Sequence, residues 1–381
     1  MRVLAAVSGG VDSAVAMARA VVAGHDVTAV HMALSKLPET GGAASRGCCS
    51  LADRHDAKRA ADILGVPFYV WDLSSDFTDL VIEDFRAEYA AGRTPNPCVR
   101  CNEHIKFATL LQRGIALDFD AVVTGHYARI IGGTDGPQLH RAVDDRKDQS
   151  YVLAVLGPQQ LRHCMFPLGD TTKDAVRAEA QGRGLGVANK PDSHDICFIP
   201  DGDTAGWLRR HLGDRPGDIV DAGNGDVVGQ HHGTHTVTVG QRRGLGITQS
   251  APDRQPRYVV EVEPTSNTIF VGAESLLSVD TVEGVDATWT AEGPLLESGR
   301  ALSLQFRAHG AAYPAEVERE GGRVVARMAA PMRAVAAGQS MVVYDGQRVL
   351  GQATVDRSLR SVVAHRYEDR EIRSSTPVAG S

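Results

Sequence analysis

The sequence predicts an α/β protein: an N-terminal domain built on a parallel sheet, a small β-rich middle domain and a C-terminal β-barrel. Three observations carry this. Strand-like and helix-like segments alternate through the first ~200 residues, as in βαβ units with helices on both faces of a sheet. Glycine then becomes frequent between Gly213 and Gly246, and long helical periodicity ends. From about Ala301 short apolar runs are separated by turns, as in compact all-β folds. The expected limits are 1–200, 201–290 and 291–360. Residues 361–381, charged and then rich in Ser, Thr and Pro, read as a disordered tail.

Element by element, Val3–Val7 is a short core strand that breaks into Ser8-Gly9-Gly10. Asp12–Ala23 is rich in Ala and Val and closes at Gly24, a helix stop. Val27–Met32 is a β-branched strand, and Ala52–Leu64 has helical spacing up to Gly65-Val66-Pro67. A strand at Phe68–Trp71, helices at Phe77–Ala91 and Ile105–Leu117 and a strand at Ala121–Thr124 follow. The barrel strands are expected at Leu302–Phe306, Ala315–Glu318, Val324–Met328, Met341–Tyr344 and Val349–Val355.

The chain has 381 residues, with 40 Lys plus Arg against 47 Asp plus Glu, a net charge of −7. That excludes a strongly basic nucleic-acid coat but leaves room for local basic faces. No apolar run approaches the ~18 residues of a membrane span. The first residues run into a glycine turn rather than a signal-peptide cleavage site. A cytoplasmic location and reduced thiols are therefore expected. The six cysteines (Cys48, Cys49, Cys98, Cys101, Cys164, Cys197) then point to chemistry or metal binding rather than a disulfide framework.

Ser8-Gly9-Gly10-Val11-Asp12-Ser13 lies between the first strand and the first helix. Backbone N–H groups of such a turn face an anion, and glycines admit close approach. The loop lacks the Gly-Lys-Ser/Thr ending of a Walker A motif. Without a lysine for a γ-phosphate it suits pyrophosphate release, and Asp12 would fit a Mg²⁺ contact. The loop resembles that of the PP-loop ATP pyrophosphatases, which adenylate an oxygen and let a nucleophile displace AMP.

Further segments narrow the resemblance. Gly92-Arg93-Thr94-Pro95-Asn96-Pro97-Cys98-Val99-Arg100-Cys101-Asn102 precedes Thr124-Gly125-His126-Tyr127 and Lys147-Asp148-Gln149-Ser150-Tyr151. Lys190-Pro191-Asp192-Ser193-His194-Asp195-Ile196-Cys197-Phe198-Ile199 and Gly240-Gln241-Arg242-Arg243-Gly244 come later. In order and spacing, from residue 1 to about 356, the chain resembles the tRNA-specific 2-thiouridylases.

That resemblance implies ATP-dependent 2-thiolation of a wobble uridine. Ala6, Val7, Ser8, Gly9, Gly10, Val11, Asp12, Ser13, Met32 and Gly125 would bind ATP. Cys197 would carry a persulfide, and Cys101 would be the nucleophile that resolves it through a transient disulfide, both from loops of the first domain. Asn96, Pro97, Cys98, Lys147, Asp148, Gln149, Arg307 and Ala308 would meet tRNA or its target base. Cys98 stands where relatives carry Asp, so an acid/base role there is not implied. Cys98 and Cys101 form a Cys-x-x-Cys that with Cys197 also matches a three-cysteine 4Fe-4S site. ATP and Mg²⁺ are the implied cofactors. The implied partners are tRNAs for Lys, Glu and Gln and a cysteine desulfurase or sulfur-carrier protein, with no membrane. Another PP-loop enzyme that does not use the cysteine pair is the alternative. Cys164 is expected in the core, and His231-His232-Gly233-Thr234-His235 as a structural or RNA-facing turn.

Overall fold

The computed structural model describes residues 1–35, 50–134, 136–192, 196–249, 251, 253–290, 296, 301–320, 322–333 and 335–359. Cys48, Cys49 and the expected tail lie outside the described residues.

The first domain is built on five parallel strands: β1 (Arg2–Ala6), β2 (Asp26–Ala33), β3 (Phe68–Asp72), β4 (Ala121–Val123) and, after a hairpin described below, β7 (Cys164–Met165). Their order is β3-β2-β1-β4-β7. The chain thus moves outward from β1 through β2 and β3, then returns to the other side of β1. Open sheets of this kind bind ligands beside such a reversal, outside the carboxyl ends of the strands, here β1 and β4. Val3, Leu4 and Ala5 are buried, the continuous apolar run of a strand covered on both faces. Helix α1 (Val11–Val22) follows β1 and buries small residues, among them Ala14, Val15 and Ala18.

Two helices differ from the sequence reading. The helix expected at Phe77–Ala91 starts earlier and has a π-wound middle: Ser74–Phe77, Thr78–Ile82, Glu83–Ala90. The helix expected at Ile105–Leu117 starts at Pro97, running Pro97–Arg100, a π-helical Cys101–Leu110, then Leu111–Ala116. Cys101 is therefore on a helix, not in a loop. Asn96 is the cause: its side chain accepts from the Cys98 and Val99 N–H groups, and Pro97 takes the first helical position.

The middle domain opens with a helix, Thr204–Leu212, that the sequence reading missed. Its Trp207 and Leu208 pack with Phe85, Tyr89 and Ile199 of the first domain. A four-stranded sheet follows, β8 (Gly217–Asp221), β9 (Val227–His231), β10 (Tyr258–Glu263) and β11 (Thr268–Gly272), in the order β10-β11-β8-β9.

The C-terminal barrel comprises β12 (Ser278–Trp289), β13 (Leu302–Gln305), β14 (Ala312–Glu320), β15 (Arg323–Arg333), β16 (Ser340–Asp345) and β17 (Arg348–Leu359). It closes through the β12–β17 pairing. β12 lies ahead of the expected start at 291, because it pairs with β15 and β17 rather than with the middle sheet. A hairpin of the first domain, β5 (Arg129–Gly133) and β6 (Gly136–His140), joins this sheet, with Arg348 opposite His140. One apolar cluster spans both domains: Leu139, Tyr151 and Leu153 pack with Val342, Tyr344 and Val349.

Candidate active site

Gly9 has φ +81° and faces Asp53 so closely that a Cβ would collide with the Asp53 carbonyl. Ser8 N–H donates to Ser13 Oγ (3.1 Å), and Ser13 Oγ to the Gly10 carbonyl (3.1 Å). Gly125, just beyond β4, packs on the start of α1; a Cβ there would lie 2.6 Å from Ser13 N. The loop and the β4 end are thereby set side by side. Ala6, Val7 and Val11 are buried, and Ser8 is exposed. The Val7 carbonyl accepts from His31 Nδ1 (2.9 Å). Burial lowers the His31 pKa more than that bond raises it, so the ring is neutral near pH 7.

The electrostatics come from residues that sequence reasoning left without a role. Lys173 Nζ donates to Asp12 Oδ1 (2.8 Å) and Oδ2 (2.7 Å), and lies 2.9 Å from Asp192 Oδ1. The Tyr127 hydroxyl donates to Asp12 Oδ1 (2.8 Å). Burial and the Asp12 carboxylate push that phenol well above its ordinary pKa. Both oxygens of Asp12, where a Mg²⁺ contact is expected from the sequence, accept from the Lys173 ammonium. Lys190 Nζ donates to the Gly9 carbonyl (2.9 Å), Asp53 Oδ1 (2.7 Å) and Asp56 Oδ2 (2.7 Å), bracing the loop from behind. Asp192 also pairs with Lys147 (2.7 Å) and Arg177 (2.8 Å). Burial opposes its ionisation, but hydrogen bonds from Lys147 and Lys173 outweigh that and hold its carboxyl at about 2. Lys190 and Asp192 stand in the Lys190–Ile199 segment, but nothing local in the sequence marks Lys173 as a partner of Asp12.

Cys101 and Cys197, distant in sequence, pack on one apolar cluster that also contains Ala6 and Met32 at the carboxyl ends of β1 and β2. Cys98 packs instead on the cluster shared with the barrel, as does Ala308. Among the described residues no group of three His, Cys, Asp or Glu is placed to hold a metal ion. The expected three-cysteine 4Fe-4S site finds no support among the described residues, where Cys98 packs on a different cluster from Cys101 and Cys197. Cys164 is buried and donates to the Gln160 carbonyl (3.1 Å), and burial pushes its thiol far up.

Of the residues expected to meet tRNA, Lys147 is engaged with Asp192, and Gln149 holds the Tyr127 backbone, its N–H donating to the Tyr127 carbonyl (2.8 Å) and its Oε1 accepting from Tyr127 N–H (3.0 Å). Asp148 accepts from Arg141, Ala142 N–H and both donors of Ser150. It is an internal hub with a 7% exposed side chain, not a surface contact. Arg307 is exposed and lines a cavity of about 340 Å³ with Gly240, Gln241, Ala336 and Gln339, between the middle domain and the barrel. Beside it Thr94 N–H donates to the Ala337 carbonyl (2.7 Å) and Gln339 Nε2 to the Thr94 carbonyl (2.8 Å). The segment before the Cys-x-x-Cys is thus fastened to the barrel. Lys106 Nζ reaches His126 Nε2 (3.4 Å), and His126 Nδ1 bonds Thr124 Oγ1 (2.7 Å). Burial, then Lys106, keeps this imidazole neutral. In the histidine-rich turn His231 Nδ1 accepts from Gly233 N–H (2.9 Å).

Three family models match in succession: the tRNA methyl transferase HUP domain over residues 1–201, the tRNA methyl transferase PRC-barrel domain over 205–273, and the aminomethyltransferase beta-barrel domain over 279–355. A tRNA-specific 2-thiouridylase MnmA of Beutenbergia cavernae is 60% identical over 371 residues, 96% of this chain and 97% of that protein. One of Acidothermus cellulolyticus is 59% identical over 363 residues, 95% of this chain and 99% of that protein. A solved 4-thiouridine synthetase–RNA complex with bound ATP is 12% identical over 53% of this chain and 45% of its own, with a TM-score of 0.33.

Proposed function

The chain belongs to the tRNA-specific 2-thiouridylase family, and from that premise we propose how its residues divide the work of a tRNA sulfurtransferase. Ser8–Ser13 and Gly125 receive ATP, whose α-phosphorus is attacked by the C2 oxygen of the wobble uracil. Pyrophosphate leaves, and C2 becomes electrophilic because AMP is a far better leaving group than oxide. Cys197 arrives as a persulfide, charged by a cysteine desulfurase or sulfur-carrier protein. Its terminal sulfur forms a bond to C2, and the C2–O bond breaks as AMP departs. The Cys101 thiolate attacks the inner sulfur of Cys197, which leaves the terminal sulfur on the base and closes a Cys101–Cys197 disulfide. An external dithiol reduces that disulfide for the next turnover. tRNAs for Lys, Glu and Gln are the proposed substrates.

The observation that carries this reading is the shared cluster: Cys101 and Cys197 with Ala6 and Met32, at the same end of the sheet as the nucleotide loop. Cys98 has no thiol role in the relay, in keeping with its packing against another core. The test is nucleoside analysis together with pyrophosphate release. With unmodified tRNA, Cys197→Ser should release AMP and pyrophosphate from ATP but form no 2-thiouridine. Full thiolation by Cys197→Ser would overturn the relay, and ADP plus phosphate as products would overturn the activation step.

A further inference from the structure

We propose that Lys173 is the phosphate-binding lysine that Ser8–Ser13 lacks in its own sequence, and that the pyrophosphate part of ATP takes its ammonium from Asp192. This rests on the reading that the loop holds pyrophosphate. Lys173 opens the helix Lys173–Gly182, and its side chain is only 8% exposed. Its ammonium contacts nothing but carboxylates in the hydrogen bonds and ion pairs described: both oxygens of Asp12 in the first turn of α1, and Asp192. One buried cation thus serves two anions beside an anion-binding turn. A pyrophosphate adds further negative charge there, and one carboxylate must give way.

The partners say which. Among the described residues Asp12 has Lys173 as its cation, with the Tyr127 hydroxyl as a further donor. Asp192 has Lys147 and Arg177 besides Lys173, so it loses least by letting go. Lys190 is not the exchangeable lysine, because it ties the Gly9 carbonyl to Asp53 and Asp56 and so maintains the loop itself. Asp192 stands shortly before Cys197 in the chain. Nucleotide occupancy is in this way reported to the segment that delivers sulfur: the Lys173 tie opens while Lys147 and Arg177 keep the segment close.

The experiment is calorimetric titration of the full chain with inorganic pyrophosphate and, separately, with AMP. Lys173→Gln should bind pyrophosphate about tenfold or more weakly, the scale of a lost charge-assisted hydrogen bond, with AMP unchanged. Asp192→Asn removes the competitor and should bind pyrophosphate about threefold tighter, since the competent state no longer has to be released. A merely structural Asp192 predicts weaker or unchanged binding, and that result overturns the proposal, as does wild-type affinity in Lys173→Gln. Ser13→Ala separates the two readings. If it weakens pyrophosphate binding and Lys173→Gln does not, the lysine assignment falls and the loop reading stands; if neither weakens it, both fall. Should Lys173→Gln fail to fold, Asp192→Asn decides alone, because it leaves the Lys173–Asp12 pair intact.

Discussion

Asp192 shows how one side chain sets the acid limit of the site. Its carboxyl sits at about 2 in the fold against an ordinary value of 3.8. The folded chain therefore keeps this charge to lower pH than the unfolded chain does. The stability it contributes is complete above the unfolded value and is lost as pH falls from about 4 to about 2. Denaturant titrations at successive pH values should give a shallower slope in that window for Asp192→Asn; identical slopes would remove Asp192 from the acid response. Cys164 gives the opposite kind of residue-scale expectation. A buried thiol far above its ordinary pKa is a poor nucleophile. Mass spectrometry after iodoacetamide treatment should find Cys164 unmodified in the native protein and alkylated after unfolding. Native alkylation would contradict its burial.

At the scale of elements, the helix that begins at Pro97 is the one on which the candidate chemistry depends. Asn96→Ala removes the acceptor for two backbone N–H groups and should cost about 1 kcal/mol. The loss should show as a lowered denaturation midpoint. Thiolation should fall further than stability does, because Cys101 rides on the same helix; an effect confined to stability would argue against that coupling. The Asn96-Pro97 cap is a local helix start, but Gly92, Pro95 and Pro97 together also carry the composition of a loop. Ser8–Ser13, by contrast, was legible because its meaning is local: a glycine turn between an apolar strand and an Ala-rich helix. The roles of Lys173 and Asp192 were not legible. An ion pair between residues far apart leaves no periodicity behind. β12 escaped for another reason: its register shifts between Val279 and Thr281 and again against β17, and such bulges break the alternation that marks a strand.

Over the whole molecule the three sequence regions do not behave as separable parts. Tyr151 of the first domain donates its hydroxyl to the Phe306 (3.1 Å) and Ser340 (3.0 Å) carbonyls, and Arg141 stacks 3.6 Å from the centre of the Tyr344 ring. Deleting the barrel would strip the cover from Leu139, Tyr151 and Leu153, so point substitutions are the cleaner probes of RNA binding. Arg307→Ala, at an exposed side chain, should leave the thermal midpoint unchanged. It should weaken tRNA binding and reduce the salt slope by about one phosphate contact. An unaltered salt dependence would take Arg307 off the RNA path.

The brace behind the loop also fixes when the site can come into being. The chain emerges from its N-terminus, and Gly9 and Asp12 are made long before Lys173 and Lys190, the lysines that hold them. A nascent chain that has completed β1, α1 and even β4 still lacks the cations that balance Asp12, Asp53 and Asp56. Later still, the carbonyls of Phe306 and Ser340 must appear before Tyr151 finds its acceptors. Contacts of such long sequence separation form slowly and late. Synthesis therefore yields a chain whose Ser8–Ser13 loop stays without its bracing lysines until about half of the 381 residues exist.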